Sequence, residues 1–135
     1  MELKLFTLEE ANILLPRLRV LLGELSAIRQ RWNAIYTGET VESVMEGRVP
    51  DNQPGSWLKS AIVHQDELEE LKEEFYNHIL EIRSMGCQVK DISDGLVDFP
   101  SMRDDKVVLL CWKLGESSVR YWHDMESGFT HRRHI

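Results

Sequence analysis

Most of the signals that would tie a chain of 135 residues to a reaction are missing from this one. No apolar run approaches the roughly eighteen residues a membrane span needs, and Met1-Glu2-Leu3-Lys4 does not open a signal peptide, so no membrane is expected as a partner and the cytoplasm is the expected location. Cysteine is scarce. Cys87 and Cys111 stand far apart, without CxxC or other metal spacing, and read as two buried thiols in a reducing compartment rather than as a disulfide framework. HxxxH and HExxH are absent, as are a glycine-rich phosphate loop and a nucleophile elbow around any Ser or Cys. On motif grounds, then, neither a cofactor nor a metal is expected. Positive charge is also short, at 16 Lys and Arg against 23 Asp and Glu, a net of −7, which makes nucleic acid an unexpected partner.

What is present is an ordinary globular composition, 42% hydrophobic and 29% charged, in a length suited to a single domain over 1–135 with one buried core. The acidity is uneven, with nine basic against fifteen acidic residues up to Met85 and seven against eight beyond it. Phe6-Thr7-Leu8-Glu9-Glu10 has the pattern of a capping box, with Thr7 and Glu10 each able to satisfy the other's amide, so a helix is predicted from Leu8. Its apolar residues repeat every seven positions, as in Leu14-Leu21-Ile28-Ile35 and Ala11-Leu18-Leu25-Trp32, a coiled-coil-like stripe for a partner helix. Pro16 interrupts it and predicts a kink or a short first helix. Periodicity stops over 37–56, a loop punctuated by Gly and Pro. A second helix is predicted from about Trp57 to Met85 with Leu58, Ile62, Leu68, Leu71, Phe75, Ile79 and Ile82 inward, capped by Gly86.

After Gly86 the period changes to that of strands: Cys87–Ile92, Leu96–Pro100 ended by its proline, Val107–Lys113 and Val119–His123. A two-residue turn at Gly115-Glu116 would set Trp112 against Val119, Leu110 against Tyr121 and Val108 against His123, leaving Trp122 with Leu109 on the other face. The predicted fold is therefore α+β: a long antiparallel helical hairpin, about 8–85, packed on a small C-terminal antiparallel β-sheet, about 87–135.

Phe6-Thr7-Leu8-Glu9-Glu10-Ala11-Asn12 with Leu15-Pro16, Val89-Lys90-Asp91, Gly95-Leu96-Val97-Asp98-Phe99-Pro100, Leu110-Cys111-Trp112-Lys113-Leu114-Gly115-Glu116, Trp122-His123 and Gly128-Phe129 with Arg132 occur in fixed order. In these motifs the chain resembles the bacterial family catalogued as domain of unknown function 2203. The resemblance spans nearly the whole chain and implies a single domain; it carries no activity with it.

Among residues able to do chemistry, Asp98 stands out because it lies between Val97 and Phe99 in an apolar strand and needs a partner if buried. It is expected to pair with an arginine, Arg120 or Arg132; alternatively Asp91, Asp98, Glu116 and His123 would line a cleft, as general base or metal ligands. The predicted register argues against a metal shared by Glu116 and His123, since it sets them at opposite ends of their hairpin. Histidine on an apolar face is usually a core residue, and His131 and His134, around Arg132-Arg133, read as part of a flexible basic tail. Trp112, Arg120, Trp122 and Phe129 form a candidate binding face. The leading functional expectation is a non-enzymatic binding or assembly module acting as a homodimer, with no small-molecule ligand specified; whether the chain is an enzyme stays open. The alternatives are a small metal-binding or hydrolase-like protein using the four polar residues, and a single-strand nucleic-acid binder using the Trp and Arg face.

Overall fold

In a computed structural model of the chain, the residues described are 3–37 and 56–135, so the loop expected over 37–56 lies, save for its two end residues, outside the described residues. Helices occupy the N-terminal part: α1 Leu8–Ile13, α2 Leu15–Thr37, α3 Ser56–Val63 and α4 Gln65–Ser84. Strands follow: β1 Gln88–Asp91, β2 Leu96–Arg103, β3 Lys106–Lys113, β4 Tyr121–Asp124 and β5 Arg133–His134, with a 3-10 turn at Phe129–His131. The order β1-β2-β3-β4-β5 is that of an antiparallel meander, and the class is α+β as predicted. Two compact units result, one made of the residues up to Glu24 with His78–Ile135, the other of Leu25–Asn77.

The first unit holds the whole sheet. Its helix start is the capping box read from sequence, with Thr7 and Glu10 exchanging 3.1 Å bonds. The break expected near Pro16 comes at Leu14, which separates a short α1 from α2 and puts Pro16 in the first turn of α2, where a missing N–H costs little. Asn12 uses this break. Its Nδ2 donates to the Leu8 carbonyl at 3.0 Å while its Oδ1 accepts from the buried Val119 amide at 2.7 Å, tying α1 to the segment leading into β4. Arg17 makes a two-pronged bond to Glu81 at 2.7 and 2.8 Å, and His78 meets Glu24.

Strand alternation sorts the sheet into two faces. Val97, Phe99, Val108, Leu110 and Trp112 lie on one face and are buried, with Phe6 edge-on to Phe99 at 5.3 Å and the Arg19 guanidinium over Trp112. Asp98, Pro100, Leu109, Cys111, Tyr121 and His123 lie on the other.

Several expectations are corrected here. The β3–β4 register is shifted by one: Cys111 faces Tyr121, Leu110 faces Trp122 and Leu109 faces His123. The tight turn is centred on Leu114-Gly115, closed by the Glu116 amide on the Lys113 carbonyl at 2.9 Å with Gly115 at φ 106, and β4 starts only at Tyr121. Because side chains alternate, that single step moves His123 to the face of Cys111 and Trp122 to the face of Trp112. Strand β2 also runs past Pro100. The Phe6 amide donates to the Pro100 carbonyl at 2.7 Å, so the side on which proline lacks an N–H faces the N-terminal segment rather than β3. The expected flexible tail is in fact edge strand β5: Arg133 pairs with Trp122, His134 stacks edge-on against Tyr121, and the Ile135 amide donates to the Arg120 carbonyl at 2.8 Å.

In the second unit Leu25, Ile28, Ile35 and Leu68 form the buried set, and Arg31 grips Glu67 through both Nε and Nη2. The single helix expected from Trp57 is interrupted at His64, after the β-branched pair Ile62-Val63. Ile62, expected inward, is 64% exposed, since a stripe phased on α4 does not carry across the break.

Candidate metal centre

Asp98, Cys111 and His123 come from the middles of β2, β3 and β4, and each is at most 3% exposed. One ligand atom from each, a carboxylate oxygen, Sγ and a ring nitrogen, lies within 4.8 Å of the other two. The arrangement follows from two turns. Asp104 and Asp105 both take positive φ, 50° and 62°, as a two-residue type I′ hairpin demands, and counting outward from Arg103 opposite Lys106 brings Asp98 opposite Cys111. The β3–β4 connection then sets His123 across from Leu109, one position further along the same face.

The expected arginine partner of Asp98 is not there. Instead both carboxylate oxygens face His123 Nε2, at 3.1 and 3.2 Å. Nδ1 of the same ring is 2.8 Å from the Asp124 carbonyl, which has only lone pairs to offer, so Nδ1 carries a hydrogen. In the neutral ring Nε2 then presents a lone pair to two more lone-pair oxygens. An electropositive centre has to sit between them, either a proton or a metal cation.

The spacing of the nitrogen and the carboxylate oxygens suits a metal, and the Cys111 sulfur, within 4.8 Å of both, would close in on binding. Zinc bonds of about 2.0–2.2 Å to nitrogen and oxygen, set at tetrahedral angles, separate two such ligands by roughly 3.3 Å, close to the spacing of Nε2 and the Asp98 oxygens. Thiolate, imidazole and carboxylate together favour zinc over the hard cations magnesium and calcium. The Nδ1–carbonyl bond is the usual outer support of a ligating histidine. Without a metal the Cys111 thiol is pushed up to about 12, first by burial and then by the Asp98 charge, with Arg132 opposing, which makes it inert as a free nucleophile.

Of the other residues expected at a site, Arg132 lies next to this cluster. Its guanidinium is packed against the rings of Tyr121 and Phe129, each 4.1 Å away, and its Nη1 donates to Glu116 Oε1 at 2.9 Å. Glu116 also accepts from the Lys113 amide at 2.7 Å, and its carbonyl takes the Trp112 indole N–H at 2.9 Å, so it organises the β3–β4 connection rather than joining the cluster. Asp91 accepts from the Asp94 amide at 3.1 Å and shapes the β1–β2 turn. Arg120 bonds the hydroxyls of Ser117 and Ser118. The candidate binding face does not form as one surface: Trp112 is fully buried, Phe129 sits by Arg132, and Trp122 lies near the guanidiniums of Arg103 and Arg133.

Sequence reasoning missed Cys111 as a partner of Asp98. The signal was in the two-residue turn at Asp104-Asp105, which fixes the β2–β3 register by itself.

The sequence pattern of an uncharacterised conserved protein family, DUF2203, matches residues 4–135, almost the entire chain. The chain belongs to that family. All three residues of the cluster lie within the span that matches DUF2203. No curated protein and no solved structure matches the chain.

Proposed function

We propose that this DUF2203 member is a metal-binding protein in which Asp98, Cys111 and His123 hold one divalent transition ion, zinc being the ion the donors favour. The observation that carries the reading is the buried Nε2 facing both oxygens of a buried carboxylate, with a sulfur in reach of the same point. Charge supports it as well. A divalent ion with one carboxylate, one thiolate and a neutral imidazole is neutral overall, which suits a site shut off from water. Three protein ligands leave one tetrahedral position, which an enclosed water would fill in a site this closed, so the burial supports holding the ion rather than turning over a substrate. A reducing, cytoplasmic setting belongs to the same reading, because the ligand is an unpaired cysteine.

Metal content of protein purified without chelators, together with cobalt substitution, tests the proposal. One equivalent of metal is expected, with a sulfur-to-cobalt charge-transfer band that Cys111→Ser abolishes. Protein that retains no metal and shows no such band with equimolar cobalt would sink it.

Homodimeric assembly is a second reading. Val20 on α2 and Leu80 on α4, both in the first unit, are 49% and 57% exposed, apolar side chains that a second copy would cover. A helical hairpin fits the pairing of Arg17 with Glu81 and of Glu24 with His78, since the partners run in opposite directions along α2 and α4. Light scattering that gives a monomer mass at high concentration would remove the dimer.

A further inference from the structure

Away from the Asp98 cluster, the N-terminal segment and the sheet line a half-open cavity of about 410 Å³, within the size range of small-molecule pockets. Its wall is mostly apolar, with Leu5, Leu8, Met102, Val108, Leu110 and Ile135, and four of these, Leu5, Leu8, Met102 and Ile135, are substantially exposed around it. These open side chains form an apolar rim that a hydrocarbon chain can cover.

The polar groups on the wall narrow the choice. Ser101 Oγ donates to the Phe6 carbonyl at 2.6 Å, and Thr7 Oγ1 is engaged in the helix cap, accepting from the Glu10 amide. Arg103 is different. Its guanidinium lies 4.8 Å from the Trp122 ring centre, and among the described residues no carboxylate forms an ion pair with it. Arg133 approaches the same indole, 5.2 Å from its centre, adding a second positive charge nearby. A cavity with apolar walls and, at its edge, a guanidinium packed on an indole but without a carboxylate partner among the described residues is complementary to a molecule with a hydrocarbon body and a single anionic end.

We infer that this cavity binds an amphipathic carboxylate, its alkyl chain among Leu5, Leu8, Met102 and Leu110 and its carboxylate on Arg103. The site is separate from the proposed metal centre, and its occupancy does not depend on metal.

Calorimetric titration of the full chain with decanoate and with decanol tests this directly, with the change in tryptophan emission that a Trp122→Phe variant loses as a second readout. Saturable one-to-one binding of decanoate is expected, at least tenfold tighter than that of decanol. Arg103→Met, at an exposed position, should bring decanoate down to the affinity of decanol while leaving the melting curve unchanged, whereas Cys111→Ser should bind decanoate like the parent. The inference is overturned if decanoate does not bind saturably, if decanol binds equally well, or if Arg103→Met keeps full decanoate affinity.

Discussion

His123 is held at both ring nitrogens, by a backbone carbonyl on one side and by the Asp98 carboxylate on the other, at a place almost closed to solvent. Removing the charge of Asp98 therefore strikes the carboxylate that both holds the buried His123 ring and lies beside Cys111. Asp98→Asn is expected to cost about 3–5 kcal/mol in denaturant unfolding, the usual penalty for breaking a buried pair from one side, and to abolish the cobalt band. Loss of the band without loss of stability would show that the carboxylate is needed for metal alone. Gly95 is a second sensitive residue. Its φ of 68° is poorly tolerated by residues with a Cβ, and an added Cβ would stand 2.5 Å from the Leu114 Cβ. Strain and overpacking act together there, so Gly95→Ala is expected to cost about 2–4 kcal/mol. A melting temperature equal to that of the parent would mean the β1–β2 turn relaxes freely.

Between elements, the bond from Asn12 to Val119 deals with a problem created at both ends. The Leu8 carbonyl takes the Asn12 Nδ2 and leaves Oδ1 to accept from elsewhere, and the buried Val119 amide precedes β4 and so lies outside the ladder. Asn12→Ala is expected to lower stability by about 1–3 kcal/mol, because it strands a buried donor. Asn12→Asp, which keeps the accepting oxygen, should recover most of that loss when both variants are unfolded in urea. The same logic explains why Pro100 does not end β2: its carbonyl is satisfied by Phe6, and no β3 bond calls for its missing N–H.

At the scale of the molecule, a metal held by three strands would join β2, β3 and β4, so its binding is linked to the folding of the whole meander. Zinc at about one hundred times its dissociation constant is expected to add ~2.7 kcal/mol of stability, seen as a rise in melting temperature that a chelator reverses and that Cys111→Ser does not show. An equal rise in the variant would place the bound zinc elsewhere, with the exposed histidines His131 and His134 the first to examine.

The periods of the sequence alone determined the class of this fold. A seven-residue apolar repeat, a capping box and a proline set the break between α1 and α2 and the buried stripe of α2, and a change to period two after Gly86 set the strands, because these signals are local and each depends on a few neighbouring residues. The partners of individual side chains were decided only by tertiary structure. Alternation says that His123 and Asp98 each share a face with their second neighbours, yet which faces coincide depends on register, and a one-residue difference in the β3–β4 turn is enough to carry His123 from the face of Leu110 to that of Cys111. For the same reason Asp98 was legible as a buried carboxylate in need of a partner, but that partner is a histidine from β4 rather than an arginine. Burial is a property that an apolar strand announces in its own residues, whereas the identity of the neighbour is settled by where another strand happens to begin.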